Sequence, residues 1–252
     1  PIFAGTSALN INGLVSISGA SGTSTYSGAT IVPSGSILQG GAGNSFSANS
    51  AVTVNGTGIV RINGNNNAIG SLAGTGFVEN NHAATGSTLT AGADGTNTTF
   101  SGILRNGGAA NLGFTKTGTG TLTLSGNNTH TGATTVNAGT LLMGTATTLT
   151  SANPVTLSGT GTFDINGFSI NVGAITSNDA TAFITNNNSA TTPSTATALN
   201  TPSGAGVYVD ALTSASTGNI AALITDGPTR KTQLVFNNGL GNVQLTNNSN
   251  TF

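Results

Sequence analysis

One stretch decides the fold: from Lys116 to Leu142 the chain reads KTGTGTLTLSGNNTHTGATTVNAGTLL. Leu122 and Leu124 alternate with threonines, the period of two that places successive side chains on opposite faces of a β-strand. Gly, Asn and Ser follow each short run, and these residues tolerate the left-handed backbone of tight corners. The stretch therefore predicts short strands of about four to six residues, joined by small polar turns.

The same pattern recurs along the chain. GTLTLSG from Gly120 matches GLVSISG from Gly13, and, after a three-residue difference in spacing, THTGATTVNAGTLL from Thr129 matches TYSGATIVPSGSIL from Thr25. Further on, NPVTLSGTGTFDING from Asn153 matches SAVTVNGTGIVRING from Ser50. Internal repetition of this kind predicts a repeat architecture. We expect one continuous domain over residues 1–252, with copies at about 13–119 and 120–233 and a partial third copy over 234–252.

Short strands with polar corners fit several all-β folds. A sandwich or barrel needs a larger apolar core than this chain offers, because only 5% of its residues are aromatic. A solenoid needs less, since each coil stacks on the next and the interior is narrow. We predict an all-β, right-handed parallel β-solenoid (β-helix) with about 20–25 residues per coil and a rise of about 4.8 Å, and with corner Asn and Thr stacked in ladders.

Composition excludes several classes of protein. Charged residues are 4% of the chain, against about 25% in an ordinary globular protein, while the mean hydropathy of +0.11 argues against disorder. The cations are too few and scattered for nucleic acid: Arg61, Arg105, Lys116, Arg230 and Lys231. The sequence contains no run of about 18 apolar residues, so it predicts no segment inserted in a membrane. The absence of cysteine removes disulfides and thiolate metal sites.

The titratable residues do not form a recognisable catalytic pattern. Parallel β-helices that cleave polysaccharides need paired carboxylates, yet Asp164 aligns with Arg61 of the other copy. The two imidazoles, His82 and His130, are too few for a zinc site. We therefore predict no catalytic, cofactor-binding or metal-binding residues, and a protein that is not an enzyme. The segment from Asn186 to Thr201 and an excursion around Asn80 to Thr98 are expected to be protruding loops.

The stretch from Lys116 to Leu142 resembles the passenger-associated transport repeat, also called the autotransporter-associated β-strand repeat. The matching positions are Lys116, Gly118, Gly120, Leu122, Leu124, Ser125, Gly126, Asn128, Thr129, Gly132, Thr134, Val136, Gly139 and Leu141. His130 departs, since an aromatic residue usually stands there. The resemblance implies a bacterial β-helix that is secreted or displayed on the cell surface, and it supplies no catalytic residues.

The two ends of the chain fall at one phase of the repeat. FAGTSALN from Phe3 reads like HTGATTVN from His130, and the chain stops at Phe252, the position that His130 holds. The expected assembly ends are Pro1, Ile2, Phe3, Asn250, Thr251 and Phe252. The leading hypothesis is a structural subunit of an extracellular surface fibre that stacks head to tail on itself. The alternatives are a stalk segment of a larger autotransporter-type adhesin, paired with flanking repeats and contacting a host surface or glycan, and a polysaccharide-active β-helix enzyme.

Overall fold

A computed structural model describes residues 3–18, 24–146, 148–177 and 179–187 in full, and the backbone of six further strands between residues 197 and 245. Its strands are, in chain order, β1 (Leu9–Asn10), β2 (Leu14–Ile17), β3 (Thr30–Val32), β4 (Ile37–Gly40), β5 (Ala51–Val54), β6 (Ile59–Arg61), β7 (Asn67–Ile69), β8 (Ser71–Gly74), β9 (Phe77–Glu79), β10 (Ser87–Ala91), β11 (Thr98–Phe100), β12 (Ile103–Arg105), β13 (Leu112–Lys116), β14 (Thr121–Leu124), β15 (Thr134–Val136), β16 (Thr140–Met143), β17 (Val155–Leu157), β18 (Thr162–Asp164), β19 (Ile170–Val172), β20 (Ile175–Ser177), β21 (Phe183–Thr185), β22 (Thr197–Leu199), β23 (Val207–Ser214), β24 (Asn219–Ile220), β25 (Leu223–Ile224), β26 (Arg230–Phe236) and β27 (Gln244–Leu245). None of the described residues is helical.

The strands form long parallel sheets with one strand from each coil. A ten-stranded sheet runs β1-β3-β5-β8-β11-β14-β16-β18-β21-β25, an eight-stranded sheet runs β27-β24-β20-β17-β15-β13-β10-β7, and a five-stranded sheet runs β12-β9-β6-β4-β2. From β1 to β21, register partners on the ten-stranded sheet lie between 19 residues apart, as in Thr121↔Thr140, and 26 apart, as in Gly74↔Phe100. The predicted parallel β-solenoid is confirmed.

The two copies of the repeat lie on different faces. In the first, β2, β4 and β6 belong to the five-stranded sheet and β3 and β5 to the ten-stranded sheet. In the second, β14, β16 and β18 belong to the ten-stranded sheet and β15 and β17 to the eight-stranded sheet. In the rest of the first copy, β7 to β12 make two coils with a strand on all three sheets. The second occurrence of the motif therefore lies one face of the solenoid away from the first.

Alternate residues of each strand fill the interior. Leu122, Leu124, Val136 and Leu141 are at most 2% exposed, as the alternation predicts, whereas Thr123 between the two leucines is partly exposed. Each fully buried aliphatic side chain contributes about 1.5–3 kcal/mol of transfer free energy. Each strand from β2 to β21 buries at least one apolar side chain, and these side chains form a continuous core without a large aromatic cluster.

The ungapped alignment fails by one residue at the corner after β3. The alignment of the stretches from Thr25 and Thr129 equates Ile37 with Leu141. In the structure, Leu141 is the register partner of Leu122. The residue that matches Leu122 in the first copy is Val15, and its register partner is Leu38, not Ile37. Residues 33–36 join β3 to β4, whereas residues 137–139 join β15 to β16. The first copy has one extra residue in this turn. Because successive side chains of a strand point to opposite faces, this shift of one residue exchanges the buried and outward positions. Leu38 is therefore buried and Ile37 points outward.

Corner backbones agree between the copies. Asn63 and Asn166 have φ of 47° and 51°, and the glycines that follow them, Gly64 and Gly167, have 76° and 77°. Asn and Gly are the residues that adopt the left-handed region at least cost. The Asn-Gly pairs therefore build the same turn twice. The predicted boundaries of the copies, including the third at 234–252, stay predictions.

Candidate functional site: buried charges and outer faces

Of the predicted assembly ends, only Phe3 lies within the described residues. Its ring meets that of Tyr26 edge to face, with centroids 6.1 Å apart. Its carbonyl oxygen accepts a hydrogen bond of 2.8 Å from the Thr25 backbone N–H. Phe3 is thus packed onto the following coil. Pro1, Ile2, Asn250, Thr251 and Phe252 lie outside the described residues.

Both predicted loops contain strands. Within the Asn80–Thr98 excursion, β10 joins the eight-stranded sheet in full register with β13, and it buries Leu89 and Ala91. Its residues STLTA alternate as a strand should, but the polar turns around them hide the pattern. Within the Asn186–Thr201 segment, β22 pairs antiparallel with β23. The loop prediction is wrong for these two strands.

Lys116 is a fully buried ammonium in the interior of a corner. It is 1% exposed, and its Nζ donates to the carbonyl oxygens of Thr117 at 2.7 Å, Gly118 at 3.0 Å and Ala138 at 3.2 Å. Burial lowers the pKa of Lys116 to about 8, against an opposing effect of the Asp94 charge. Because Ala138 belongs to the next coil, the ammonium ties two successive corners together.

Glu79 is the centre of an ion-pair ladder on the five-stranded sheet. Arg61 Nε lies 2.6 Å from its Oε1, and Arg105 Nη2 lies 2.7 Å from its Oε2. The three residues are register partners on adjacent strands. The Arg105 guanidinium also lies 4.0 Å from the centroid of the Phe77 ring. The carboxylate is 4% exposed and bound on both sides, so its role is structural.

His130 occupies the aromatic position of the motif and keeps its contact. Tyr26 in the first copy places its hydroxyl 3.0 Å from Thr30 Oγ1, and His130 places Nε2 2.9 Å from Thr134 Oγ1. Burial lowers the pKa of His130 to about 4, although the nearby backbone of Leu104 opposes the shift. Among the described residues its Nδ1 finds no hydrogen-bond partner. The departure from the motif is therefore a buried neutral imidazole.

The remaining candidate acids and bases stabilise turns. Asp164 is 4% exposed, and its Oδ1 accepts from the backbone N–H groups of Asn166 at 2.8 Å and Asn187 at 3.1 Å. The Nδ1 atom of His82 accepts from the backbone N–H groups of Ala84 and Thr85. In the part of the chain that the structure describes, no three His, Asp or Glu residues are grouped as metal ligands.

Buried asparagines bridge successive coils. Asn128 Oδ1 accepts from the Leu104 N–H of the preceding coil at 2.7 Å, and its Nδ2 donates to Thr148 of the next coil at 2.9 Å. Asn80 likewise accepts from Gly64 at 2.8 Å and donates to Asn111 at 3.0 Å. These side-chain amides replace strand hydrogen bonds where the corner leaves the sheets.

The outer face of the eight-stranded sheet carries a threonine ladder. Its members are consecutive register partners, all partly exposed: Thr90, Thr115, Thr135, Thr156 and Thr176. The last two hydroxyls lie 3.2 Å apart. This ladder lies within the strands and not at the corners, where the sequence predicts stacked Asn and Thr. Sequence reasoning missed the Glu79 ladder, because its members become neighbours only once the length of each coil is known.

Comparison with known proteins gives one match. Residues 114–143 match the family model of the passenger-associated-transport-repeat. No curated protein and no solved structure matches the chain significantly. Among the described residues, no helix has the length and apolar character needed to span a membrane. The match covers β14, β15 and β16 with the corners between them, so the chain carries a passenger-associated transport repeat and in this respect resembles the repeat proteins of autotransporter passengers.

Proposed function

We propose that the chain is a structural rod of a bacterial surface or secreted protein, of the kind found in autotransporter passengers. The observation that carries the proposal is the unbroken parallel ladder of the ten-stranded sheet over a filled interior. A stack of this kind is stiff because each coil is hydrogen-bonded to both neighbours. Ten strands at the usual spacing span about 43 Å, which suits a spacer that holds other segments away from a surface.

The chemistry of the described residues supports a non-catalytic role. The ionisable groups most suited to catalysis are bound within the fold: Lys116 by three carbonyls, Glu79 by two guanidinium groups and Asp164 by two backbone amides. A general acid or base must instead reach a substrate proton within hydrogen-bond distance. The polysaccharide-active alternative predicts cleavage that is lost in Asp164→Ala, and we expect no cleavage in either protein.

The spacer function is tested by displaying the chain between a surface anchor and a reporter epitope. The intact chain should move the epitope outward by a distance on the order of 43 Å, measured by energy transfer to a dye in the membrane. The matched control is Leu124→Asp, which places a charge in the core and should replace one defined separation by a broad distribution, because an unfolded chain of this length has a radius of gyration of about 55 Å. Equal distributions of separation for the two proteins would overturn the proposal.

A finer proposal is that copies of the rod stack head to tail into a fibre. A terminal strand of a parallel ladder offers free N–H and C=O groups to a further coil, and a charge content of 4% puts little repulsion in the way. Electron microscopy of the purified chain tests it. Filaments of repeating subunits are the expected result, whereas isolated short rods at every concentration would favour a stalk within a longer chain.

A further inference from the structure

The outer face of the five-stranded sheet differs from the other two. Its strands place an apolar residue outward at one register position in every coil: Leu14, Ile37, Ile59, Phe77 and Ile103. Leu14 is 64% exposed, and the others are partly exposed. The equivalent column on the eight-stranded sheet is threonine. Leu14 and Phe183 are the exposed large hydrophobic residues in the part of the chain that the structure describes, and Leu14 belongs to this apolar column.

A polar column runs beside it, two residues along each strand. It consists of Ser16, Gln39, Arg61, Glu79 and Arg105, which are also register partners. Two guanidinium groups face one carboxylate, so the column has a net charge of +1. Within the part of the chain that the structure describes, Arg61 uses only Nε for Glu79, which leaves its two Nη groups available to a ligand.

The dimensions of this face decide between occupants. Five strands are separated by four spacings and so span about 19 Å along the axis, and each is about 10 Å long, which gives an area on the order of 200 Å². A stable contact with a second copy needs about 800 Å² from each partner. The face is therefore too small for a lasting protein dimer, but it is long and narrow.

We propose that the apolar and polar columns together bind an extended acidic polysaccharide. The pyranose rings of such a chain present apolar C–H faces that recur at a spacing comparable to the coil rise of about 4.8 Å, and these pack on the apolar column. The carboxylates along its edge pair with Arg61 and Arg105, whose planar guanidinium groups suit carboxylate geometry. The net positive charge of the polar column favours uronic acids over neutral sugars.

Binding is measured by calorimetry on the whole chain, with polygalacturonate oligomers as the probe and neutral amylose oligomers in parallel. We expect polygalacturonate to bind, with an affinity that falls as salt rises, and amylose to bind at least tenfold more weakly. The double variant Ile59→Thr/Ile103→Thr should lose affinity tenfold or more. Threonine is the residue that the eight-stranded sheet carries at such outward positions, so the variant should still fold.

Two further variants separate this face from general stickiness. Thr135→Ala, on the eight-stranded sheet, should leave affinity unchanged. Arg61→Gln should weaken polygalacturonate binding several-fold, and the fold should be kept because Arg105 still pairs with Glu79. If the double isoleucine variant fails to fold, Arg61→Gln alone tests the proposal. The proposal is overturned if polygalacturonate does not bind, if it binds no better than amylose, or if Arg61→Gln has no effect. A wild-type dimer that Ile59→Thr/Ile103→Thr dissociates would also overturn it, in favour of self-association.

Discussion

Single residues in this chain hold neighbouring coils together, and two of them are ionisable groups buried without an opposite charge in contact. Lys116 binds three carbonyl oxygens of two corners, and His130 fills the place that Tyr26 fills in the first copy. Burying an ionisable group disfavours its charged form. The stability of the fold should therefore depend on pH through these two groups.

His130 makes a testable case. Its pKa of about 4 in the folded chain lies below the ordinary 6.5, so between these pH values the unfolded chain binds more protons. Stability contributed by the neutral imidazole is thus present above pH 6.5 and lost as the pH falls toward 4. His130→Tyr should remove this loss, because tyrosine already makes the equivalent contact at position 26. Urea unfolding at pH 7 and pH 4.5 measures it; an unchanged difference between the two pH values in the variant would contradict the account.

At the scale of the strand, the alternation of side chains is fixed by the sequence pattern, while the register is not. The pattern in β14 to β16 predicts the buried face because leucine and threonine alternate cleanly there. The alignment of the two copies gives the wrong buried residue in β4, because one extra residue in the preceding turn makes Leu38 the buried residue instead of Ile37. It also gives no sign of the Glu79 ladder, because which strands become neighbours depends on the length of every coil between them.

The strand phase predicts opposite outcomes for two adjacent substitutions. Leu124→Asp buries an unpaired carboxylate in the core and should cost more than about 4 kcal/mol or prevent folding. Thr123→Asp lies on the outer face of the ten-stranded sheet and should cost less than about 1 kcal/mol. Thermal unfolding followed by circular dichroism separates them. Similar losses for both would show that the assigned phase is wrong.

Close stacking of the corners predicts a second matched pair. A Cβ at Gly126 would collide with the backbone carbonyl of Gly102 in the preceding coil. Gly126→Ala should therefore destabilise the fold by several kcal/mol, on the order of other severe backbone clashes. Gly43→Ala is the control, since the nearest atom to a Cβ there is the Asn66 carbonyl oxygen at 3.7 Å and φ is not positive. Equal melting temperatures for the two variants would contradict the stacking of these corners.

At the scale of the whole molecule, the repeat predicts a solenoid but not how it is oriented around its axis. The first copy places its matched strands on the five- and ten-stranded sheets, and the second copy places them on the ten- and eight-stranded sheets. Residues on the same sequence motif therefore reach different outer faces, threonine on one and isoleucine on another. A repeat of nearly constant sequence can in this way build a rod whose sides differ in chemistry.

The most direct test of the parallel solenoid is the proximity of outward residues in successive coils. The chain has no cysteine, so nitroxide labels can be placed at will. Labels at Thr135→Cys and Thr156→Cys, which are register partners on the eight-stranded sheet, should broaden each other's electron paramagnetic resonance lines strongly. Labels at Thr123→Cys and Thr135→Cys are closer in sequence but lie on different sheets, and their spectrum should equal the sum of the singly labelled spectra. Broadening in the second pair and its absence in the first would contradict the parallel solenoid.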